Sequence, residues 1–263
     1  MKMKRSEKLG MFTGLVVGVL LLLISVFMIF QTTCKVWGAE KPANATQQGI
    51  DVSSHQGKID WEQVKNSALA DYAIIRCGYG VNQTDKDDKY WDYNSSECER
   101  LGIPYGTYLY SGADTTAKAK SEAEHVVRLL QGKNLTYPIY YDMEADMLNQ
   151  LSSTQIGNIA KTFLNTMESY GYKNVAVYSN KYLFETKLTA SVFSDYPKWI
   201  AQHSNKCTYQ GSYHMWQYST QGVIPGISEK VDLNYKIGNW TYAGYSSAKK
   251  TVVVKPKATT IKS

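Results

Sequence analysis

From Gly49 onward, β-rich segments alternate with segments of helical character, and this alternation limits the possible folds more than any other feature. Strands are predicted at 49–53, 72–77, 103–110, 138–142 and 175–179. Helices are predicted after the cap residue Asp60 and at 87–101, 115–130 and 152–170. Regular alternation over about 200 residues predicts a mostly parallel sheet closed into a barrel.

The last third of this region departs from the regular repeat. Segments 198–201 and 214–218 have strand character, but only short or irregular connections separate them. We therefore expect an α/β fold of irregular, TIM-like βα-barrel type rather than a uniform eight-fold one.

The amino-terminal 47 residues divide into three segments that precede this domain. Residues 1–10 are basic, and Met11–Phe30 is a run of 20 residues without a charge. As a helix with a rise of about 1.5 Å per residue, this run would span roughly 30 Å, the thickness of the hydrocarbon core of a bilayer. We predict a transmembrane anchor with a cytoplasmic amino terminus, a linker at 31–47 and the domain outside the cell membrane. A cleaved signal segment, which would make the domain secreted, is the alternative.

The net charge of +6 is confined to the two ends of the chain. Residues 1–10 contribute +3 and the flexible tail predicted at 246–263 contributes +5, so the remainder carries −2. A mildly acidic domain argues against a nucleic-acid partner.

Four acidic residues follow or adjoin strand-like segments, where the active face of a βα barrel forms. They are Asp51, Asp142, Glu144 and Asp232. Alternate residues of a strand share a face, which predicts that Asp142 and Glu144 point into one space roughly 7 Å apart. At an effective dielectric near 20 their repulsion would be roughly 2.4 kcal/mol, or about 1.7 pKa units. Such repulsion would keep one acid protonated, as the cleavage of a glycosidic bond requires. Two other roles for these acids remain open: helix capping and, less favoured, a metal site.

Six motifs then occur in a fixed order along the chain. They are GIDVSSHQG at 49–57, IDWEQVK at 59–65, IRCGYG at 75–80, YYDME at 140–144, WQYS at 216–219 and VDLN at 231–234. Together they resemble glycoside hydrolase family 25, the Chalaropsis-type lysozymes or N-acetylmuramidases. The resemblance spans about 48–240, and we place the catalytic domain at 48–245.

The resemblance implies a flattened barrel of eight strands with fewer helices, and hydrolysis of the β-1,4 bond between N-acetylmuramic acid and N-acetylglucosamine in peptidoglycan. Glu144 would be the general acid, and Asp142 would assist the 2-acetamido group of the substrate as nucleophile. Asp51 and Asp232 match the other two acidic positions of the cleft. No cofactor or metal is implied.

Further positions match sugar-contacting residues of the family, although core packing is an equal alternative for each aromatic one. They are Tyr79, Tyr110, Tyr178, Trp199, Trp216 and Gln217. We expect His55 to hold its loop by a hydrogen bond and Arg76 to pair with an interior acid.

The expected partners are peptidoglycan glycan strands and, through Met11–Phe30, the membrane. Two alternatives remain open. A non-catalytic protein that binds peptidoglycan or acts as a scaffold could keep the same barrel, and the same anchor would suit a lysozyme domain that serves a wall-spanning assembly.

Overall fold

The computed structural model describes residues 39–241 together with Gly18. The predicted basic segment, the rest of Met11–Phe30, the linker before Ala39 and the tail at 246–263 lie outside these residues. Within them, no helix combines the length and the apolar character needed to cross a membrane.

Eight strands form a closed barrel in which the spatial order follows the order along the chain. Strands β1 to β7 pair in parallel, whereas β8 is antiparallel to both β7 and β1. The strands are β1 Ala45–Val52, β2 Tyr72–Tyr79, β3 Tyr105–Tyr110, β4 Ile139–Asp142, β5 Val175–Asn180, β6 Lys198–Ala201, β7 Met215–Gly222 and β8 Val231–Ile237. The predicted barrel is confirmed. Its first strand begins at Ala45, inside the segment expected to be linker.

Six α-helices cover the first two thirds of the barrel. They are α1 Trp61–Ser67, α2 Trp91–Leu101, α3 Thr116–Leu129, α4 Ser153–Ser169, α5 Lys181–Thr186 and α6 Val192–Asp195. The connections at 202–214 and 223–230 contain no helix. The loss of helices expected for the last third is therefore confirmed.

Local sequence accounts for where these helices begin and end. The Asp60 carboxylate accepts a hydrogen bond from the backbone of Gln63 and caps α1, as predicted. Gly102 ends α2 with a φ of 66°, a left-handed conformation that favours glycine. Helix α2 was expected from Asp87 but begins at Trp91, because Asp87 bridges to Gly78 of β2 and its carboxylate binds Arg128.

The interior of the barrel is largely aromatic. Its packed cluster consists of Tyr72, Ile74, Tyr137, Tyr140, Ala176, Tyr178, Trp199, Ala201 and Met215. Tyrosine, of which the chain has 21, therefore supplies much of the core. For Tyr178 and Trp199, which were predicted as sugar contacts with core packing as the alternative, the structure favours packing.

The reversed direction of β8 matters for the site. Strands β1 to β7 end at one rim of the barrel, and β8 begins at that rim because it runs the other way. Asp51, near the end of β1, therefore pairs directly with Asp232, near the start of β8.

Candidate active site

All four predicted acids lie at the rim where the parallel strands end. Asp142 is the last residue of β4, and Glu144 follows it by two positions. The charges are close enough to act on one another: Asp232 raises the pKa of Asp51, Glu144 raises that of Asp142, and Asp51 raises that of Glu144. The structure thus brings the four side chains into one space.

Asp51 is buried in this space and is 5% exposed. Its Oδ2 accepts hydrogen bonds from Asn234 Nδ2 at 2.7 Å and from Gln217 Nε2 at 3.1 Å. Burial and the charge of Asp232 raise the pKa of Asp51 well above its ordinary value, and the two amides offset part of that rise.

The side-chain amide of Gln217 forms hydrogen bonds with four other residues of the site. Its Nε2 also donates to Asp232 Oδ2 at 3.4 Å, and its Oε1 accepts from the Tyr178 hydroxyl at 3.0 Å and from His203 Nε2 at 2.9 Å. Trp199 Nε1 donates to Asn234 Oδ1 at 2.8 Å and orients the other amide that binds Asp51. Gln217, Tyr178 and Trp199, predicted as sugar contacts, therefore support the acids.

Asp142 differs from Asp51 because its carboxylate is buried without a full set of partners. It is 3% exposed, and its Oδ1 has no hydrogen-bond partner among the described residues. Burial is the main cause that raises the pKa of Asp142, followed by the charges of Glu144 and Asp51, while Arg76 lowers it. A buried acceptor without a donor is costly, so this oxygen is suited to a donor from a ligand.

Glu144 is half-buried and is held beside Asp142 by the backbone between them. The Met143 N–H donates to the Tyr178 carbonyl at 2.9 Å, and the Ser179 hydroxyl donates to the Met143 carbonyl at 2.6 Å. Met143 itself is buried. Burial and then the charge of Asp51 raise the pKa of Glu144, whereas a hydrogen bond from Tyr178 and the charge of His203 lower it.

The causes of the raised pKa values of Asp142 and Glu144 differ from the cause that the sequence predicted. Repulsion between Asp142 and Glu144 was expected to keep one acid protonated. In the structure, burial is the largest cause for both residues, and the charge that raises the pKa of Glu144 comes from Asp51. Removal from water, rather than the spacing of alternate residues, dominates the site.

Asp232 is the fourth acidic residue of the site. Its pKa is raised to about 6, chiefly by burial; a hydrogen bond with Asp51 lowers it, and the charge of Glu144 contributes to the rise.

The remaining predicted aromatic residues divide between the site and the packing. Tyr79 is 38% exposed at the end of β2, and Tyr110 lies near enough to Asp142 and Glu144 that both raise its pKa after burial. Trp216 is fully buried, and its neighbour Gln217 points to the acids, so Trp216 faces the opposite side of β7. Its Nε1 donates to the Gln202 carbonyl at 2.9 Å. The position of Trp216 is that of a packing residue.

Arg76 pairs with an interior acid, as expected. Its guanidinium binds Asp88 at 2.8 Å and the Ser54 hydroxyl at 2.9 Å. For His55, the bond that holds the loop comes from its backbone N–H to Ser53 Oγ at 3.2 Å.

His203 is a site residue that the sequence analysis missed, as is Asn234, which donates to Asp51. His203 lies two positions beyond the end of β6, as Glu144 lies two positions beyond the end of β4. Position relative to a strand end was the signal that could have identified it. Within the described residues, no group of three or more His, Cys, Asp or Glu side chains could hold a metal ion.

Comparison with known proteins decides the family. The sequence profile of "Glycosyl hydrolases family 25" matches residues 50–227, which is more than half of the chain. The chain belongs to glycosyl hydrolase family 25. It is therefore a glycoside hydrolase of the lysozyme type.

Three proteins illustrate how this family 25 hydrolase relates to others. The autolytic lysozyme of Clostridium acetobutylicum is 30% identical over 188 residues, which cover 71% of this chain and 55% of that protein. The modular autolysin LytC from Streptococcus pneumoniae superposes with a TM-score of 0.66 at 33% identity, covering 72% of this chain and 46% of LytC. The chain thus spans about half the length of both proteins. A family 25 glycosyl hydrolase from Bacillus anthracis, at 21% identity and a TM-score of 0.67, shares the fold and covers 78% of this chain and 94% of that one.

Proposed function

We propose that this family 25 hydrolase cleaves the β-1,4 bond between N-acetylmuramic acid and N-acetylglucosamine in peptidoglycan. The observation that carries the proposal is the joint position of Asp142 and Glu144 at the rim of the barrel, both removed from water and both with a raised pKa. LytC, which shares the fold at 33% identity, has been crystallised with a synthetic peptidoglycan ligand.

Glu144 is the general acid in this proposal. A raised pKa lets a carboxyl group keep its proton near neutral pH and deliver it to the glycosidic oxygen as the bond breaks. The half-buried position of Glu144 leaves it accessible to a substrate, unlike the more deeply buried Asp51 and Asp142.

Asp142 assists the substrate rather than attacking it. Its unpaired Oδ1 is suited to accept the N–H of the 2-acetamido group, which directs the acetamido oxygen toward the anomeric carbon. That oxygen forms a bond to the anomeric carbon while the glycosidic bond breaks and Glu144 protonates the leaving oxygen. Water then opens the cyclic intermediate, and Glu144 takes back a proton. This route differs from the scheme in which a carboxylate of the enzyme is the nucleophile.

Asp51 and Asp232 form the wall opposite these two residues. Through its charge on Glu144, Asp51 contributes to the retention of the catalytic proton. Gln217 and Asn234 fix the pair, so that the wall keeps its shape when a glycan strand binds.

Digestion of purified peptidoglycan, with mass analysis of the new reducing ends, tests the proposal. Reducing ends on N-acetylmuramic acid are expected. Reducing ends on N-acetylglucosamine would contradict the assignment of the bond. Binding of glycan strands by a folded domain without cleavage would instead support the non-catalytic alternative.

We also propose that Met11–Phe30 anchors the enzyme in the membrane, with the barrel outside the cell. The length of the charge-free run and the basic residues before it support this placement. Sequencing the amino terminus of the mature protein from membrane and medium fractions tests it. A terminus that begins after residue 30, found in the medium, would show a cleaved signal instead.

A further inference from the structure

His203 lies among the acids, yet the proposed reaction assigns it no task. The loop that carries it is tied to β7 at its first residue. Gln202 donates its N–H to the Gln217 carbonyl at 3.1 Å and accepts from Trp216 Nε1 at 2.9 Å. The Gln202 side chain closes the loop on Thr208 through bonds of 2.9 and 3.0 Å. His203 is therefore held in place on the rim.

The orientation of the Gln217 amide fixes which nitrogen of His203 carries a proton. The two carboxylates, Asp51 and Asp232, are acceptors and require the NH₂ group of Gln217 on their side. The Gln217 oxygen then faces His203 Nε2 at 2.9 Å, and an oxygen can only accept. His203 must therefore hold a hydrogen on Nε2.

The surroundings of His203 are almost entirely acidic. Titratable groups that reach His203 or its partner Gln217 come from four elements: Glu144 after β4, Tyr178 on β5, Asp51 on β1 and Asp232 on β8. Its own loop adds Lys206, which points toward Glu40. His203 therefore adds a nitrogen donor to a network whose other titratable members are acidic groups.

We propose that His203 is a positioning residue of the glycosidase site: its Nε2–H fixes the Gln217 amide, and that amide holds the Asp51–Asp232 pair. This inference rests on the proposed function. The role needs only an N–H donor at this position, so a substitution that keeps such a donor should preserve it.

Two substitutions and one control test this role. His203→Gln keeps an N–H donor, whereas His203→Leu has none. His55→Gln removes an exposed histidine at the same end of the barrel. All three are compared with wild type in kcat and KM on soluble peptidoglycan fragments.

His203→Gln should keep a kcat within about threefold of wild type. His203→Leu should lose about 5–10-fold in kcat, the scale of one hydrogen bond. The kcat and KM of His55→Gln should match wild type.

A kcat of His203→Leu within about threefold of wild type, while the wild type cleaves peptidoglycan, would refute the positioning role and leave the proposed function standing. A wild type that cleaves nothing would refute the proposed function. A measurement independent of activity covers that case: ¹⁵N spectra of the histidine side chains should show neutral His203 as the Nε2–H tautomer. The Nδ1–H tautomer would overturn the positioning role.

Discussion

Asp51 and Asp232 face each other across the antiparallel pairing of β1 with β8, and one amide group, that of Gln217, donates to both carboxylates. Burying carboxyl groups is unfavourable: burial is the largest cause that raises the pKa of both residues, and the charge of Asp232 raises that of Asp51 further. The candidate site is therefore expected to lower the stability of the barrel that supports it.

Asp232→Asn should stabilise the protein at neutral pH. A carboxyl group whose pKa rises from 3.8 to about 6 on folding stabilises the fold below pH 3.8, and this contribution is lost as the pH rises through about 6. The neutral amide removes that loss, so the free energy of unfolding at pH 7 should increase by about 1–3 kcal/mol. At pH 4 the gain should nearly vanish. Urea unfolding at both pH values measures the difference.

Asp114→Asn is the matched control, because Asp114 is exposed and its pKa has the opposite shift. A hydrogen bond from Lys118 lowers the pKa of Asp114, so its contribution is present at neutral pH and is lost as the pH falls. The control should show no gain at pH 7. A gain equal to that of Asp232→Asn would mean that general charge, rather than burial at the site, is responsible.

Glu144→Gln should lower the rate of peptidoglycan cleavage by at least about 10²-fold, the scale expected for losing a general acid. The amide has the shape of the acid but no acidic proton to transfer. Circular dichroism should match wild type, and the unfolding midpoint at neutral pH should not fall, because the amide replaces a carboxyl whose pKa burial raises. Glu185→Gln, which changes an exposed glutamate paired with Lys181, is the control and should retain full activity. A near-wild-type rate for Glu144→Gln would remove Glu144 from its role.

The arrangement of strands was predictable because local signals agreed with one another. Caps such as Asp60, helix ends such as Gly102 and β-rich runs such as 198–201 depend on residues close in the chain. Helix α2 begins later than predicted because a distant partner, Arg128, holds Asp87 outside the helix. The spacing of apolar residues along the chain gives no information about a contact between residues so far apart in the sequence.

The acidic residues of the candidate site were predictable from the sequence, but the hydrogen bonds that connect them to Gln217 and His203 were not. Ends of parallel strands lie at one rim, which was enough to group Asp51 with Asp142. Which face of β7 carries a functional residue depends on register, and the register places Gln217 rather than Trp216 toward the acids. His203 lies in an irregular loop, where the sequence holds no period from which its direction could be inferred.

Tyr79→Ala and Trp216→Phe should separate binding from packing. Tyr79 is exposed at the active rim, so losing its ring should raise KM for glycan fragments by about 2–10-fold, the scale of one aromatic contact, with little change in stability. Trp216 is fully buried on the other face of its strand, so Trp216→Phe should lower the unfolding midpoint while KM stays near wild type. The reverse pattern would place Trp216 in the glycan site.

Gly49→Ala should destabilise the barrel because no room exists for a side chain at the start of the β1–β2 pairing. A Cβ at Gly49 would lie 2.4 Å from two ring carbons of Tyr72, which is itself buried and stacked on Tyr137 with ring centroids 4.4 Å apart. Displacing this ring should cost about 1–3 kcal/mol in the free energy of unfolding, measured in urea. Gly112→Ala is the control, since its Cβ would meet only Glu122 at 3.9 Å, an ordinary contact. Equal losses in both variants would show that chain flexibility, rather than the Tyr72 ring, determines the effect.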